Sequence, residues 1–307
     1  MEKMKISNWQ WLPAITLPIL LLISSYSIAV PVSLNSVAEG GDSAFSGELK
    51  DSSCSDTGVI MFHGRGSSPT GPVVHELSNS LNRAGYRTLS IENPLPLNQQ
   101  VDFSSYVNDV NTVNYVFPES YARMRTAINY LESLGAKKIV VAGFSLGSRL
   151  LTGHVARGQT NELPIIGLIG VGMYANSIDP LNTSLTLDEV SVPVLDVYGD
   201  ADTNSANTAT SRQAAYYTGS GLSYTQNVIT CISGANCHQL EGNKGDDSQE
   251  LEIAVNAWMQ SFAPVSVMQS CNEVVTENIS NASGSIGLIF LGILVILAAI
   301  KFSKKEK

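Results

Sequence analysis

A serine lies between two glycines in the stretch Gly143-Phe-Ser145-Leu-Gly147, directly after the branched apolar run 138–142. Glycines two residues before and after a serine remove side chains that would clash in a sharp strand-to-helix turn, and such a turn lifts the hydroxyl off the sheet. The amide of Leu146 would then lie at a helix N-terminus, where unpaired N–H donors and the helix dipole stabilise negative charge. The stretch therefore predicts a nucleophilic Ser145 with Leu146 as one oxyanion donor. The alternative is a small residue in an ordinary turn.

A serine nucleophile needs a base to take its proton and an acid to orient that base. The chain contains four histidines, and only His238 follows the last predicted strand and precedes the last predicted helix. We therefore predict that His238 is the general base. For the acid, the stretch VYGDAD offers Asp200 and Asp202, whereas Asp196 lies inside a predicted strand, where we expect it to pair or cap.

Apolar runs of strand-like and helix-like period alternate through the middle of the chain. The strand-like runs are 59–62, 86–91, 138–142, 165–171, 194–198 and 224–230. Between and after them, 121–134 and 251–262 keep one apolar helical face. This alternation predicts right-handed crossovers and a mostly parallel sheet with helices on both faces. Ligands bind at the carboxyl ends of such strands, where Ser145, the aspartates and His238 fall in the chain order Ser, Asp, His.

A glycine-rich stretch, His63-Gly64-Arg65-Gly66, follows the first long apolar strand. Its glycines would let the backbone approach a substrate oxygen closely. We predict that His63 holds this loop by hydrogen bonds rather than acting as a base. Arg65 faces either an acidic group of the substrate or solvent. The polar stretch 94–118 and residues 174–190 are expected to shape the pocket.

Four stretches, VIMFHGRGSSP, VVAGFSLGSRL, PVLDVYGDAD and CHQLEG, resemble the strand-end motifs of the α/β-hydrolase superfamily. More narrowly, the first motif and the compact, lidless length resemble the bacterial hydrolases grouped as DUF3530. The resemblance implies an α/β class protein with the α/β-hydrolase fold. It places the acid three residues after the glycine, which favours Asp202 over Asp200. It also implies that the second oxyanion donor is the amide of Arg65 or Gly66.

Together these residues predict a serine hydrolase that cleaves an ester or related acyl bond through an acyl-enzyme on Ser145. The expected partner is a small acyl or ester substrate, and the reaction requires no metal or organic cofactor. One alternative is a non-catalytic binding protein that has kept the fold, since fold alone does not establish function. Another is a peptidase or an acyltransferase that acts on an envelope component.

The two ends of the chain are typical of membrane-directed segments. Two lysines precede an apolar stretch that ends in Ser27-Ile28-Ala29, a small-x-small pattern, so we predict a signal peptide over 1–29. The apolar segment 286–302, which is followed by lysines, predicts a transmembrane helix or a sorting tail, and it resembles the bacterial GlyGly-CTERM sorting signals. A hydrolase domain over 45–263 and a linker over 264–285 lie between them. This organisation predicts an exported protein of the bacterial periplasm or cell surface, anchored by its C-terminal helix.

The charge of the exported part argues against anionic partners. Residues 31–300 carry 12 Lys and Arg against 25 Asp and Glu, a net charge of −13. Such a surface repels nucleic acid and anionic lipid heads, so we predict no nucleic-acid partner.

The exported part also contains four cysteines, Cys54, Cys231, Cys237 and Cys271. An even number in an oxidising compartment favours two disulfides, and three pairings are possible. A bond between Cys231 and Cys237 would close a short loop beside the predicted base, and one between Cys54 and Cys271 would join the start of the domain to its end. A metal site is the alternative, but no C-x-x-C spacing supports it.

Overall fold

The computed structural model of the 307-residue chain describes residues 28–36, 44–52, 55–94, 110–158, 164–175, 179–219, 223–232, 236–240 and 246–265. The predicted signal peptide, apart from its last two residues, and the predicted C-terminal membrane or sorting segment lie outside these ranges. So do Cys54 and Cys271. Within the described ranges, no helix combines the length and the apolar character needed to cross a membrane.

One sheet runs through the described part of the chain. Its strands are β1 (Val30–Asn35), β2 (Ala44–Lys50), β3 (Thr57–Phe62), β4 (Arg87–Ile91), β5 (Lys138–Phe144), β6 (Ile165–Val171), β7 (Val194–Gly199) and β8 (Tyr224–Ile229). Their spatial order is β1-β2-β4-β3-β5-β6-β7-β8. The β1–β2 and β2–β4 pairs are antiparallel, and all the other pairs are parallel. The predicted mostly parallel sheet is therefore confirmed.

Helices cover both faces of this sheet, as the sequence predicts. They are α1 (Pro72–Arg83), α2 (Val110–Ser133), α3 (Leu146–Gly153), α4 (Thr183–Thr186), α5 (Thr203–Gly219) and α6 (Asp246–Phe262). On one face, Leu77 of α1 and Val255 of α6 join the inner strands in a buried apolar layer. On the other face, Ile128 of α2 and Leu150 of α3 join a second layer. The strands between the two layers are buried on both sides, which explains their continuous apolar runs.

Two features of the fold differ from the sequence-based expectation. The sheet begins at β1, upstream of the predicted domain start at residue 45, and neither β1 nor β2 was expected as a strand. The stretch 94–118 shows no clear helical period in the sequence, but α2 already begins at Val110. The helical pattern was obscured by Pro118, a residue that usually ends a helix because it lacks the N–H donor.

A buried ion pair links the sheet to α5. Asp196 of β7 and Arg212 of α5 are both fully buried, and Arg212 Nη2 donates to Asp196 Oδ2 at 2.8 Å. The same carboxylate oxygen accepts hydrogen bonds from Arg212 Nε at 3.0 Å and from Tyr224 Oη at 2.8 Å. Asp196 therefore pairs inside the fold, as the sequence predicts, and takes no part in the site described below.

We expect Arg212→Ala to lower the free energy of unfolding by about 3–5 kcal/mol, because it leaves the Asp196 carboxylate buried without its counter-charge. Urea unfolding followed by circular dichroism measures the change. The control is Arg83→Ala, which removes a half-exposed arginine paired with Glu252 at the surface. Such surface pairs contribute about 0–1 kcal/mol. Equal losses in the two variants would contradict the prediction.

Candidate active site

Ser145 lies at the sharp turn between β5 and α3. Its backbone φ is 52° and its ψ is −113°, a conformation that residues with a side chain rarely adopt. Two hydrogen bonds hold this strained turn. The Ser145 amide donates to Val171 O at 2.8 Å, and Ser148 Oγ donates to Ser145 O at 2.6 Å. The turn fixes the serine oxygen at the carboxyl edge of the sheet.

The two flanking glycines are required by close packing rather than by their own φ angles. A Cβ on Gly143 would lie 2.5 Å from Ser148 N, and a Cβ on Gly147 would lie 2.6 Å from His63 O. Both contacts are with backbone atoms, which cannot move aside as a side chain can. The G-x-S-x-G spacing therefore allows α3 to start directly against the strands that hold Ser145.

The side chains of Ser145, Asp202 and His238 form one hydrogen-bonded row, although they come from three separate turns. His238 Nε2 lies 2.8 Å from Ser145 Oγ, and His238 Nδ1 lies 2.8 Å from Asp202 Oδ2. A carboxylate only accepts hydrogen bonds, so Nδ1 carries the ring hydrogen and the lone pair on Nε2 faces the serine hydroxyl. This arrangement can take a proton from Ser145.

Asp202 is held as a carboxylate by its surroundings. It is 5% exposed and directly precedes α5. Ser205 Oγ donates to Asp202 Oδ2 at 2.5 Å, and the Ser205 amide donates to Oδ1 at 3.4 Å. Burial alone would raise the pKa of Asp202, but the hydrogen bonds from His238 and Ser205 outweigh it, so the pKa lies below its ordinary value. These hydrogen bonds therefore favour the ionised form of Asp202.

Asp200, the other acid that the sequence offered, has a different partner. Its Oδ1 accepts the amide hydrogen of Cys231 at 3.0 Å, which ties the end of β8 to the acid turn. Cys231 is joined to Cys237 by a disulfide, with 5.6 Å between the Cα atoms. The Asp200 carboxylate and the two sulfurs lie within 4.8 Å of one another. Because the sulfurs are bonded to each other, these three groups do not form a metal site.

The glycine-rich loop lies directly beside Ser145. A Cβ on Gly64 would lie 3.4 Å from Ser145 Cβ, and the Ser67 amide donates to Gly64 O at 3.3 Å, which closes a turn. Arg65 and Gly66, the residues expected to supply an oxyanion donor, occupy the middle of this turn and are exposed. Leu146, the other expected donor, is the first residue of α3. The structure thus brings both predicted donor positions to the same side of the sheet edge as Ser145.

His63 supports this loop through hydrogen bonds, and among the described residues it has no hydrogen bond to His238 or Asp202. The ring is 1% exposed, with Nδ1 2.8 Å from Gly64 O and Nε2 accepting the Asn93 amide hydrogen at 3.1 Å. The Asn93 side chain returns a hydrogen bond from Nδ2 to His63 O at 2.7 Å. Burial lowers the pKa of the His63 imidazole below its ordinary value of 6.5. Because Nε2 accepts the Asn93 amide hydrogen, it carries no hydrogen of its own, and these contacts agree with the loop-holding role predicted for His63.

We expect acid to destabilise the fold through His63. Below about pH 6.5 the unfolded chain binds a proton at this histidine, whereas the folded ring does not until the pH falls to its lower pKa. Between these two pH values, stability therefore falls as the pH falls, by at most about 1.4 kcal/mol per pH unit.

Urea unfolding at several pH values between 5 and 8 measures this slope. His63→Gln, which cannot titrate, is expected to have a smaller slope even if it is less stable at every pH. His75→Gln is the control for loss of a histidine elsewhere. An unchanged slope in His63→Gln would contradict the prediction.

Four residues at the site were not found from the sequence. Ser205 follows Asp202 by three residues at a helix start, a capping pattern that could have indicated it. Phe144 directly precedes Ser145, so the motif itself could have indicated it. Tyr174 begins the range 174–190 that was expected to shape the pocket, but its contact with His238 was not expected. Asn93 carries no such signal, because it reaches the site only through its packing beside His63.

Comparisons with known proteins agree with this geometry. The family model described as "Protein of unknown function (DUF3530)" matches residues 116–239, which include all three members of the hydrogen-bonded row. An esterase of Pyrococcus furiosus has a similar structure, with 14% identity and a TM-score of 0.56 over 78% of this chain and 92% of that chain. This likeness shows the α/β-hydrolase fold, and the DUF3530 match covers the middle of the chain.

Further solved structures extend the likeness. The dienelactone hydrolase of Anabaena variabilis shares 19% identity with a TM-score of 0.51, over 76% of this chain and 98% of that chain. A carboxyl esterase of Bacillus coagulans shares 11% identity with a TM-score of 0.54 over the same shares. At these identities the likeness shows the α/β-hydrolase fold alone. A comparison with curated protein sequences gives no match.

Proposed function

We propose that the protein is a serine hydrolase that cleaves a carboxylic ester or a related acyl bond through an acyl-enzyme on Ser145. The observation that carries this proposal is the hydrogen-bonded row, in which His238 lies 2.8 Å from both Ser145 Oγ and Asp202 Oδ2. The esterases and dienelactone hydrolases among the similar structures support an ester as the substrate.

The proposed reaction has two stages. Ser145 Oγ attacks the carbonyl carbon of the substrate while its proton passes to His238 Nε2, and Asp202 stabilises the imidazolium that forms. The oxyanion is held by the amide of Leu146 at the start of α3 and by the amide of Arg65 or Gly66. Collapse of this intermediate returns the proton to the leaving alcohol and leaves an acyl group on Ser145. Water, activated by His238, then releases the acid.

We further propose that the protein acts outside the cytoplasm, in the bacterial periplasm or at the cell surface. The Cys231–Cys237 disulfide supports this location, because structural disulfides persist mainly in oxidising compartments. Anchoring by the C-terminal segment 286–302 remains part of the proposal. Fractionation of cells that express the full chain, followed by detection in soluble and membrane fractions, tests it. Recovery in the cytoplasm would contradict it.

We expect a fluorophosphonate probe to label the full-length protein and to leave Ser145→Ala unlabelled, since Ser145 is the proposed nucleophile. Mass spectrometry of the labelled peptide identifies the modified residue. Short-chain aryl esters and the matching amides are then compared as substrates. Faster hydrolysis of the esters is the expected result, whereas a preference for amides would indicate a peptidase. Failure of the probe to label the folded protein would contradict a serine mechanism.

A further inference from the structure

Two hydrogen bonds hold the imidazole of His238 within its own plane, but they do not prevent the ring from tilting out of that plane. Its two hydrogen bonds, to Ser145 and to Asp202, run from ring nitrogens on opposite sides of the ring. Such bonds fix the positions of the two ring nitrogens but still allow the ring to rotate about the line that joins them. The side chain is 30% exposed, so the surrounding core does not enclose it. Groups that pack against the ring must therefore limit this motion.

Two aromatic rings flank the imidazole. The ring centroid of Phe144 lies 5.3 Å from that of His238, and the two planes meet at 39°. The ring centroid of Tyr174 lies 6.1 Å away at 67°, an edge-on arrangement. Phe144 belongs to the nucleophile turn itself, but Tyr174 lies on the chain that leaves β6, three residues after Val171. Tyr174 therefore needs its own support if it is to hold the histidine.

Arg149 supplies that support. It lies on α3, one turn after Ser145, and is 1% exposed. Its guanidinium carbon lies 4.1 Å from the centroid of the Tyr174 ring, and its Nη2 donates to Tyr174 Oη at 3.1 Å. A planar guanidinium can stack on an aromatic ring in this way, whereas a lysine ammonium presents no flat surface. The turn that carries the nucleophile thus leads directly into the helix that supports Tyr174.

We propose that Tyr174, held by Arg149, is a positioning residue that keeps His238 aligned between Ser145 and Asp202. This inference rests on the serine-hydrolase function proposed above. The chain of contacts runs from α3 through Arg149 and Tyr174 to His238. The helix that begins directly after Ser145 therefore also supports the residue that holds the base. Tyr174 affects the reaction only by fixing the position of the His238 imidazole, and it exchanges no proton with that imidazole.

The test compares Tyr174→Ala with Tyr174→Phe in the full chain. Removal of the ring lets the base rock out of line, so we expect kcat for an aryl ester to fall about 10-fold to 100-fold while KM changes little. Tyr174→Phe keeps the ring and is expected to restore most of kcat. The kcat of Arg149→Met is expected to lie between those of Tyr174→Ala and Tyr174→Phe. Tyr217→Ala, at a half-exposed tyrosine on α5 whose ring contacts Tyr216 and Tyr224, is the matched control.

The outcomes separate a positioning role from simpler ones. A change in KM alone in Tyr174→Ala would show that the ring only lines the substrate pocket, and an unchanged kcat would show that it has no role; either result overturns the proposal. A Tyr174→Phe variant as slow as Tyr174→Ala would transfer the role to the hydroxyl and also overturn it. Thermal unfolding of each variant identifies any loss of kcat that comes from poor folding.

A spectroscopic measurement separates this inference from the proposed function. The hydrogen that His238 Nδ1 donates to Asp202 gives a far-downfield proton resonance in NMR spectra. We expect this resonance to broaden or disappear in Tyr174→Ala and to persist in Tyr174→Phe. A sharp resonance in Tyr174→Ala would overturn the positioning role even if the enzyme is active. Conversely, the wild-type protein could fail to react with the fluorophosphonate and to cleave esters while Tyr174→Ala still loses the resonance. That result would support the positioning role and refute only the hydrolase function.

Discussion

Asp202→Asn lowers kcat about 10³-fold to 10⁴-fold, whereas Asp200→Asn keeps most of the activity: this is the result we expect from the contacts of the two residues. Asp202 Oδ2 accepts hydrogen bonds from both His238 Nδ1 and Ser205 Oγ. Asp200 Oδ1 accepts only a backbone hydrogen, from Cys231, among the contacts of the described residues. The side-chain oxygen of an asparagine can therefore take over the acceptor role of Asp200 but not that of Asp202.

The reason lies in the tautomer of the histidine. If the amide nitrogen that Asp202→Asn introduces faced His238, it would donate to Nδ1 and drive the ring hydrogen to Nε2, which then could not accept the proton of Ser145. If the amide oxygen faced His238 instead, the nitrogen would meet the amide hydrogen of Ser205, which needs an acceptor. No charge would remain in either case to stabilise the imidazolium.

Loss of the helix cap cannot explain the expected effect. Asparagine caps a helix about as well as aspartate, so Asp202→Asn is expected to change the free energy of unfolding by less than about 1 kcal/mol. Initial rates on an aryl ester, with active sites titrated by the fluorophosphonate, give kcat for both variants. A large loss in Asp200→Asn with a nearly intact Asp202→Asn would reverse the assignment of the acid.

The sequence was sufficient to predict that Ser145, Asp202 and His238 meet, because their positions follow from chain order. Parallel strands bring their carboxyl ends to one edge, so residues after β5, β7 and β8 must meet there once the sheet is recognised. The choice between Asp200 and Asp202 depended on a two-residue difference within one turn. Strand periodicity cannot resolve such a difference, and the family pattern favoured Asp202, which is the acid that contacts His238.

Residues that depend on packing between distant parts of the chain were beyond the sequence. Tyr174 meets His238 and Arg149 only after the chain leaving β6 has folded over α3, and no spacing in the sequence encodes that contact. β2 was different, because Phe45, Gly47 and Leu49 alternate with more exposed residues along it. This period of two is typical of an antiparallel strand with one buried face, and it was available in the sequence.

The Cys231–Cys237 disulfide is expected to matter for both stability and rate. Cys237 directly precedes His238, and both sulfurs pack against Gly199, where an added Cβ would collide with them. Gly199 in turn begins the acid turn, since its carbonyl accepts the Asp202 amide hydrogen at 3.0 Å. The bond therefore joins the segment that carries the base to the segment that carries the acid.

Replacing both cysteines by serine is expected to lower the free energy of unfolding by about 2 kcal/mol, the loop-closure contribution of a short loop. We expect kcat to fall about 10-fold or more, because His238 loses the restraint on its neighbour and small misalignments of a base are costly. Urea unfolding and ester hydrolysis of the Cys231→Ser, Cys237→Ser double variant measure the two effects.

A thiol reductant provides the matched control for this prediction. Reduction of the wild-type protein is expected to reproduce the loss of activity seen in the double variant, because it breaks the same bond. The double variant still contains Cys54 and Cys271, so any further loss that the reductant causes in it must come from those two cysteines. If the wild-type protein keeps full activity after complete reduction, the acid and base segments hold their alignment through hydrogen bonds and packing alone. The hydrogen bond from the Cys231 amide to Asp200 and the one between His238 and Asp202 would then be among the links that remain between them.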